Sequence, residues 1–169
     1  MEFDVYGRLP VGDYPLTLDQ LRSSILVQGT GRHPMDTQWR LQLVNNLEEL
    51  VQPLWEIGIE DIFINGSFVT SKARPGDIDG YYVCDVRDLV SESLFRVLAE
   101  VSGEDIWDTR KRVQVGYDDF KPKMWEKYRC ELYPHCEEIH LNFPDPPFPE
   151  FFRQTRVGTG KGIVKLIRG

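Results

Sequence analysis

The stretch Ile62-Phe-Ile-Asn-Gly-Ser-Phe-Val-Thr-Ser-Lys-Ala-Arg-Pro-Gly-Asp-Ile-Asp-Gly-Tyr-Tyr-Val83 decides the fold. It lies within a short β-branched and aromatic run, Asp61 to Asn65, a Gly66-Ser67 turn, a polar loop with Lys72, Arg74, Pro75 and Gly76, and a second strand-like run from Ile78 to Cys84. Two adjacent strands joined by a compact loop are expected. Asp77 and Asp79 are one residue apart, so on a strand their side chains leave the same face while Ile78 points into the core. Two like charges that close cost energy unless a divalent cation neutralises them, and hard Mg²⁺ prefers oxygen ligands of this kind. Gly66 permits a tight turn with close backbone approach, and Ser67 places a hydroxyl and an amide where phosphate oxygens can sit.

Working outward, Gly7, Pro10, Gly12 and Pro15 make a turn-rich N-terminal arm that is expected to wrap the domain. Thr17 with Gln20 forms a capping-box pattern that opens a short helix through about Ile25. Asp36 and Thr37 are candidate N-caps for a longer helix whose stripe is Leu43, Val44, Leu47, Leu50, Val51 and Leu54. Pro53 should kink that helix or end it early, and Gly58 is a natural stop. Val90, Leu94, Val97, Leu98 and Val101 predict a further helix from roughly Arg87 to Val101. Arg112 to Val115 and Ile139 to Phe143 alternate like strands, Pro144, Pro146, Pro147 and Pro149 form a rigid connector before a short helix around Phe151 and Phe152, and Gly162 to Ile167 reads as a final strand. The pattern is α+β, a mixed sheet with packed helices.

At 169 residues and 41% hydrophobic content, the chain fits one domain with a real core: an arm and short helix over 1–35, a central part over 36–143 and a connector with the last strand over 144–169. No apolar run approaches the roughly 20 residues of a membrane span. Glu2 and Asp4 near the start argue against a secretory signal, so a cytoplasmic protein is expected. Cys84, Cys130 and Cys136 are read as thiols. The net charge of −7 excludes a non-specific nucleic-acid coat, although carboxylate-bound Mg²⁺ can still present positive charge to a nucleotide.

Gly66-Ser67, nine intervening residues and then Asp77-Ile78-Asp79 resemble the signature of the polymerase-β-type nucleotidyltransferase superfamily. The arm with Gly7, Leu9, Pro10 and Gly12, the Gly66-to-Thr70 turn and the tail Gly160-Lys161-Gly162-Ile163-Val164-Lys165-Leu166 resemble a group of small, uncharacterised bacterial and phage nucleotidyltransferase-like proteins over nearly the whole chain. The resemblance implies a short mixed sheet with helices on one face. It also implies transfer of a nucleotidyl group from a nucleoside triphosphate (NTP) such as ATP to a hydroxyl, with two Mg²⁺ ions. By that resemblance Asp77 and Asp79 hold the metals, and Gly66 with Ser67 contacts the triphosphate. Lys72 and Arg74 in the intervening loop are added here as phosphate partners.

The superfamily carries a third carboxylate on a later strand. In Glu137-Glu138-Ile139-His140-Leu141-Asn142-Phe143, alternation puts Glu138, His140 and Asn142 on one face, and Glu138 is the candidate third metal ligand and catalytic carboxylate. His140 stands where the family's acidic residue aligns best, and as a softer nitrogen ligand it suits Mg²⁺ less. Two function classes follow. One is an Mg²⁺-dependent nucleotidyltransferase acting on RNA, protein or a small molecule. The other is a nucleotide- or partner-binding module without turnover, such as a toxin–antitoxin or phage-defence component. The short chain leaves little room for acceptor recognition, and a homodimer or a partner protein is compatible with that.

Three other patterns carry less. Cys130, His135, Cys136 and His140 lack the spacing of a zinc site. Gly158-Thr-Gly-Lys-Gly162 lacks the Ser or Thr that follows the lysine of a phosphate loop. Trp125, beside Lys121, Lys123 and Lys127, has the composition of a base-stacking site, against the simpler reading of a rim aromatic.

Overall fold

Local signals set the first half of the chain. The computed structural model describes residues 1–137, 147–155 and 157–169. The arm leads into β1 (Asp13–Leu16), and Thr17 then caps α1 (Leu18–Ser23) reciprocally: Thr17 Oγ1 accepts from the Gln20 amide at 3.2 Å, and Gln20 Oε1 accepts from the Thr17 amide at 2.9 Å. The helix does not continue to Ile25. Ser24 is extended, and its hydroxyl caps a separate turn, α2 (Ile25–Gln28). Asp36 accepts from the Trp39 amide at 3.1 Å to open α3 (Thr37–Glu56), whose whole expected stripe is buried. Pro53 does not end α3, because so close to the C-terminus it removes a single ladder bond; the stop comes at Gly58, with φ +86°.

β2 (Ile62–Asn65) and β3 (Ile78–Val83) pair antiparallel, with Asn65 opposite Asp79. The single helix expected from Arg87 to Val101 is two, α4 (Val86–Val90) and α5 (Ser93–Ser102). The break is at Glu92, which is left-handed at φ 59°, and there the Ser91 hydroxyl donates to the Arg87 carbonyl at 2.6 Å. β4 (Arg112–Gln114) and β5 (Phe120–Pro122) form a separate antiparallel hairpin. There follow α6 (Met124–Tyr128), β6 (Cys130–His135), α7 (Phe148–Phe151) and β7 (Ile163–Leu166). The run Ile139 to Phe143 lies outside the described residues.

The main sheet is mixed, in the order β1-β7-β2-β3-β6, which makes the fold α+β. β7 runs parallel to β1 and antiparallel to β2, and β6 runs parallel to β3 at the opposite edge. Edge position lets β6 carry Pro134, whose missing N–H costs no ladder bond there. One sheet face, with Ile62, Ile64, Ile78, Leu132 and Val164, packs into the helical core beneath α3. The other holds an aromatic cluster of Phe63, Tyr81 and Phe152 with Ile163, and Phe63 stacks on Tyr81 at 4.9 Å. The arm reaches the loop between β2 and β3, where the Ser71 amide donates to the Gly7 carbonyl at 2.7 Å. No disulfide joins Cys84, Cys130 and Cys136, and Cys84 Sγ lies 3.6 Å from Cys136 Sγ. Among the described residues no helix is long and apolar enough to cross a membrane.

Candidate metal and phosphate site

On β3 the alternation that sends Ile78 into the core sends Asp79 and Tyr81 to the aromatic face, with Asp77 just before the strand. β6 runs parallel beside it in register, pairing Glu131 with Asp79 and Tyr133 with Tyr81. Oxygens of Asp77, Asp79 and Glu131 therefore converge to within 4.8 Å of one another. Glu131 is 4% exposed, so it is a buried carboxylate rather than a solvated one. The described residues thus supply a third acidic group at Glu131; Glu138 and His140 lie outside them.

Gly66 fits against this cluster. Its φ is +70°, and a Cβ added there would stand 1.8 Å from Asp79 Oδ2. Close backbone approach to the carboxylate, beyond the turn itself, is what requires glycine here. Gly66→Ala should cost about 1–2 kcal/mol for the left-handed backbone. Any Mn²⁺ affinity of the cluster should also fall about tenfold, because Asp79 is forced aside. Thermal melts with a Mn²⁺ titration check this, and undiminished Mn²⁺ affinity would contradict the packing argument.

Neighbours orient and partly neutralise the carboxylates. Trp125 Nε1 donates to Asp77 Oδ2 at 2.9 Å, and the Tyr133 hydroxyl donates to Glu131 Oε2 at 2.6 Å. Lys121 Nζ, from β5, donates to Asp77 Oδ2 at 3.3 Å and to Glu131 Oε1. Burial pulls the Lys121 ammonium down, but the Glu131 hydrogen bond and the charges of Glu131 and Asp77 outweigh it and hold its pKa above the ordinary value. Asp79 behaves oppositely. Burial first, then the charges of Asp77 and Glu131, push its carboxyl up to about 7 against the pull of Lys121 and Lys161. The cluster carries more negative charge than Lys121 offsets.

The donor set suits a hard cation. Oxygens around an octahedral Mg²⁺, bound at about 2.1 Å, are about 3 Å apart at adjacent positions and about 4.2 Å at opposite ones, and the three carboxylates here bring oxygens within 4.8 Å of one another. The raised Asp79 pKa marks the same fit, since an arriving cation relieves that repulsion.

The remaining predicted site residues divide. Ser67 follows Gly66 in the turn at the edge of the cluster. Lys72 is exposed, and its carbonyl accepts from Arg40. Arg74 ion-pairs with Asp36, the cap of α3, and its guanidinium lies 4.5 Å from the Trp39 ring centroid, so it serves the fold of the loop. Trp125 stands at the site, with one ring face under the Arg129 guanidinium at 3.8 Å. Sequence reading missed Glu131 and the role of Lys121. The signal for Glu131 was the alternation Cys130-Glu131-Leu132-Tyr133, in which a lone charge interrupts an apolar and aromatic run.

No curated protein and no solved structure matches the chain. A family model matches residues 1–167, nearly the whole length. The chain accordingly belongs to DUF6932, a family of unknown function.

Proposed function

We propose that the protein is an Mg²⁺-dependent nucleotidyltransferase that moves a nucleotidyl group from an NTP to a hydroxyl of RNA, a protein or a small molecule. The observation that carries this reading is the convergence of Asp77, Asp79 and Glu131 within 4.8 Å, with the Gly66 backbone packed against Asp79. Together with the Gly66-Ser67 and Asp77-x-Asp79 spacing, it supports the three-carboxylate arrangement that the superfamily resemblance implies. Those three residues would hold magnesium, whose contribution is to favour the ionised acceptor hydroxyl and to offset charge on the phosphoryl and pyrophosphate oxygens. The chain's own part is positioning. Trp125 and Tyr133 fix the Asp77 and Glu131 rotamers and Gly66 admits the Asp79 carboxylate, while the Ser67 hydroxyl and amide would serve the phosphates.

A second reading rests on Lys121. Its ammonium already bridges Asp77 and Glu131, as expected of a module that keeps its carboxylates for structure. Titration with each NTP, with and without Mg²⁺, followed by transfer of an α-³²P label to total RNA and protein, separates the two. Label transfer supports the enzyme. Mg²⁺-dependent binding without transfer favours a nucleotide-binding module, and no nucleotide binding removes the enzyme and leaves a partner-binding module. Glu131→Gln is expected to lower transfer about 100-fold by loosening the third carboxylate position. An equal loss in Glu138→Gln with Glu131→Gln unaffected would return that role to Glu138.

A further inference from the structure

Lys161 is the unusual cation of the molecule. Lys111, Lys121, Lys123, Lys127 and Lys165 each lie within 4 Å of a carboxylate. Lys72 is exposed. Lys161 is half-buried, yet among the described residues its ammonium makes no ion pair and no hydrogen bond. Burying an unpaired ammonium is costly, so the fold must hold it there by other means.

Its backbone shows how. The Lys161 amide donates to the Arg153 carbonyl at 2.8 Å, and the Gly162 amide donates to the Leu9 carbonyl at 2.9 Å. Asn65, fully buried at the end of β2, donates through Nδ2 to the Gly162 carbonyl at 3.0 Å. A Cβ on Gly162 would meet the Pro10 carbonyl oxygen at 2.5 Å, so this glycine serves packing against the arm and not a phosphate loop. The lysine between Gly160 and Gly162 is thereby fixed beside the Gly66-Ser67 turn.

The segment that carries it lies at the end of the sheet near the acidic cluster. β7 pairs Lys165 with Phe63, and Lys165 Nζ stands 5.6 Å from that ring. Ile163, two residues earlier, joins the Phe63, Tyr81 and Phe152 cluster. Asn65, whose side chain holds the Gly162 carbonyl, stands opposite Asp79 in the β2–β3 register, which brings the Lys161-Gly162 segment to the end of the sheet where Asp79 sits. Burial pulls the Lys161 ammonium below its ordinary pKa, and the charge of Asp79 acts against that pull. A cation without a partner among the described residues, anchored through its backbone near a metal-type carboxylate cluster, has the placement of an anion partner.

We infer that Lys161, together with the Ser67 turn, binds the β- and γ-phosphates of an NTP whose metal is held by Asp77, Asp79 and Glu131. The inference rests on the nucleotide reading of that site and names the residue that grips the leaving pyrophosphate. A charge-assisted contact of this kind is worth roughly tenfold to a hundredfold in affinity. The test compares wild type, Lys161→Gln and Lys161→Arg by calorimetry with Mg²⁺·NTP, Mg²⁺·tripolyphosphate and the nucleoside monophosphate, and by Mn²⁺ binding in electron paramagnetic resonance. Lys161→Gln should weaken the NTP and tripolyphosphate about 10- to 100-fold and leave the monophosphate and Mn²⁺ affinities within a few-fold, with Lys161→Arg retaining most of the triphosphate affinity. Wild-type NTP affinity in Lys161→Gln overturns the inference while the nucleotide reading stands. Wild-type protein that binds no NTP overturns that reading, and this inference with it. A Lys161→Gln variant that fails to fold shifts the comparison to Lys161→Met, where triphosphate affinity lost with an unchanged melting temperature and unchanged Mn²⁺ binding supports the contact, and undiminished triphosphate affinity overturns it. Equal loss for tripolyphosphate, monophosphate and Mn²⁺ in that variant would mark a purely structural cation.

Discussion

Replacing Asp77 and Asp79 together by Asn is expected to abolish Mg²⁺-dependent NTP binding and to give an apo protein more stable above pH 7 than its parent. Both effects come from one electrostatic arrangement. The Asp79 carboxyl sits at about 7, raised from 3.8 by burial and then by Asp77 and Glu131, so between about pH 4 and 7 the folded state binds a proton that the unfolded state has released. Stability therefore falls as pH rises through that window. A rise from 3.8 to about 7 corresponds to at most about 4 kcal/mol, fully lost above pH 7. Asn at both positions keeps the side-chain shape, removes the titration and leaves Glu131 paired with Lys121. In the parent, Mg²⁺ has to displace the Asp79 proton, so its stabilising effect should be larger at pH 8 than at pH 6. Melting temperatures from pH 5 to 9, with Mg²⁺ or with a chelator, together with NTP calorimetry, check all three statements. Mg²⁺-dependent NTP affinity that survives in the double variant would falsify the site.

Arg40→Ala is expected to cost about 3–5 kcal/mol, a fall of roughly 10 °C in melting temperature. Arg40 lies on α3 and is fully buried. Its guanidinium donates to five carbonyls: Leu26, Phe68 at 2.8 Å, Thr70 at 3.1 Å, Lys72, and Ala73 at 3.3 Å. No carboxylate pairs with it among the described residues, and burial lowers its pKa to about 10. Four of those carbonyls belong to the loop between the Gly66-Ser67 turn and Asp77, so one side chain sets the shape of the segment that joins the two halves of the site. Truncation orphans the carbonyls and opens a cavity at once. Lys should not restore the stability, because three donors on a flexible stem cannot serve five acceptors spread around a planar fork. Urea unfolding of wild type, Arg40→Ala and Arg40→Lys measures this, and a loss below 1 kcal/mol for Ala would show that the loop holds its shape without the guanidinium.

Arg40 also marks where sequence reading stops. The period of two around Asp77-Ile78-Asp79, the Thr17 and Gln20 cap, and the α3 stripe are local patterns whose physics operates within a few residues, and each was legible. Gly66 was legible as a turn; its closeness to Asp79 was not, because that depends on the β2–β3 register. In the sequence the candidate for the third carboxylate is Glu138, on the alternating run Glu137 to Phe143. Glu138 lies outside the described residues; Glu131 reaches Asp79 through parallel pairing of β3 with β6, whose residues are separated by about 50 positions of intervening helix and hairpin. Lys121 comes to the cluster on a hairpin that belongs to no long periodic pattern. β7, easily read as a last strand, enters the sheet between β1 and β2, and this placement puts Lys161 beside the turn. From the sequence alone came the two aspartates, the glycine and the elements that carry them, since those follow from backbone periodicity and capping. Tertiary structure decided which distant charges join them, because only non-local strand pairing and the buried Arg40 bring those side chains onto one face.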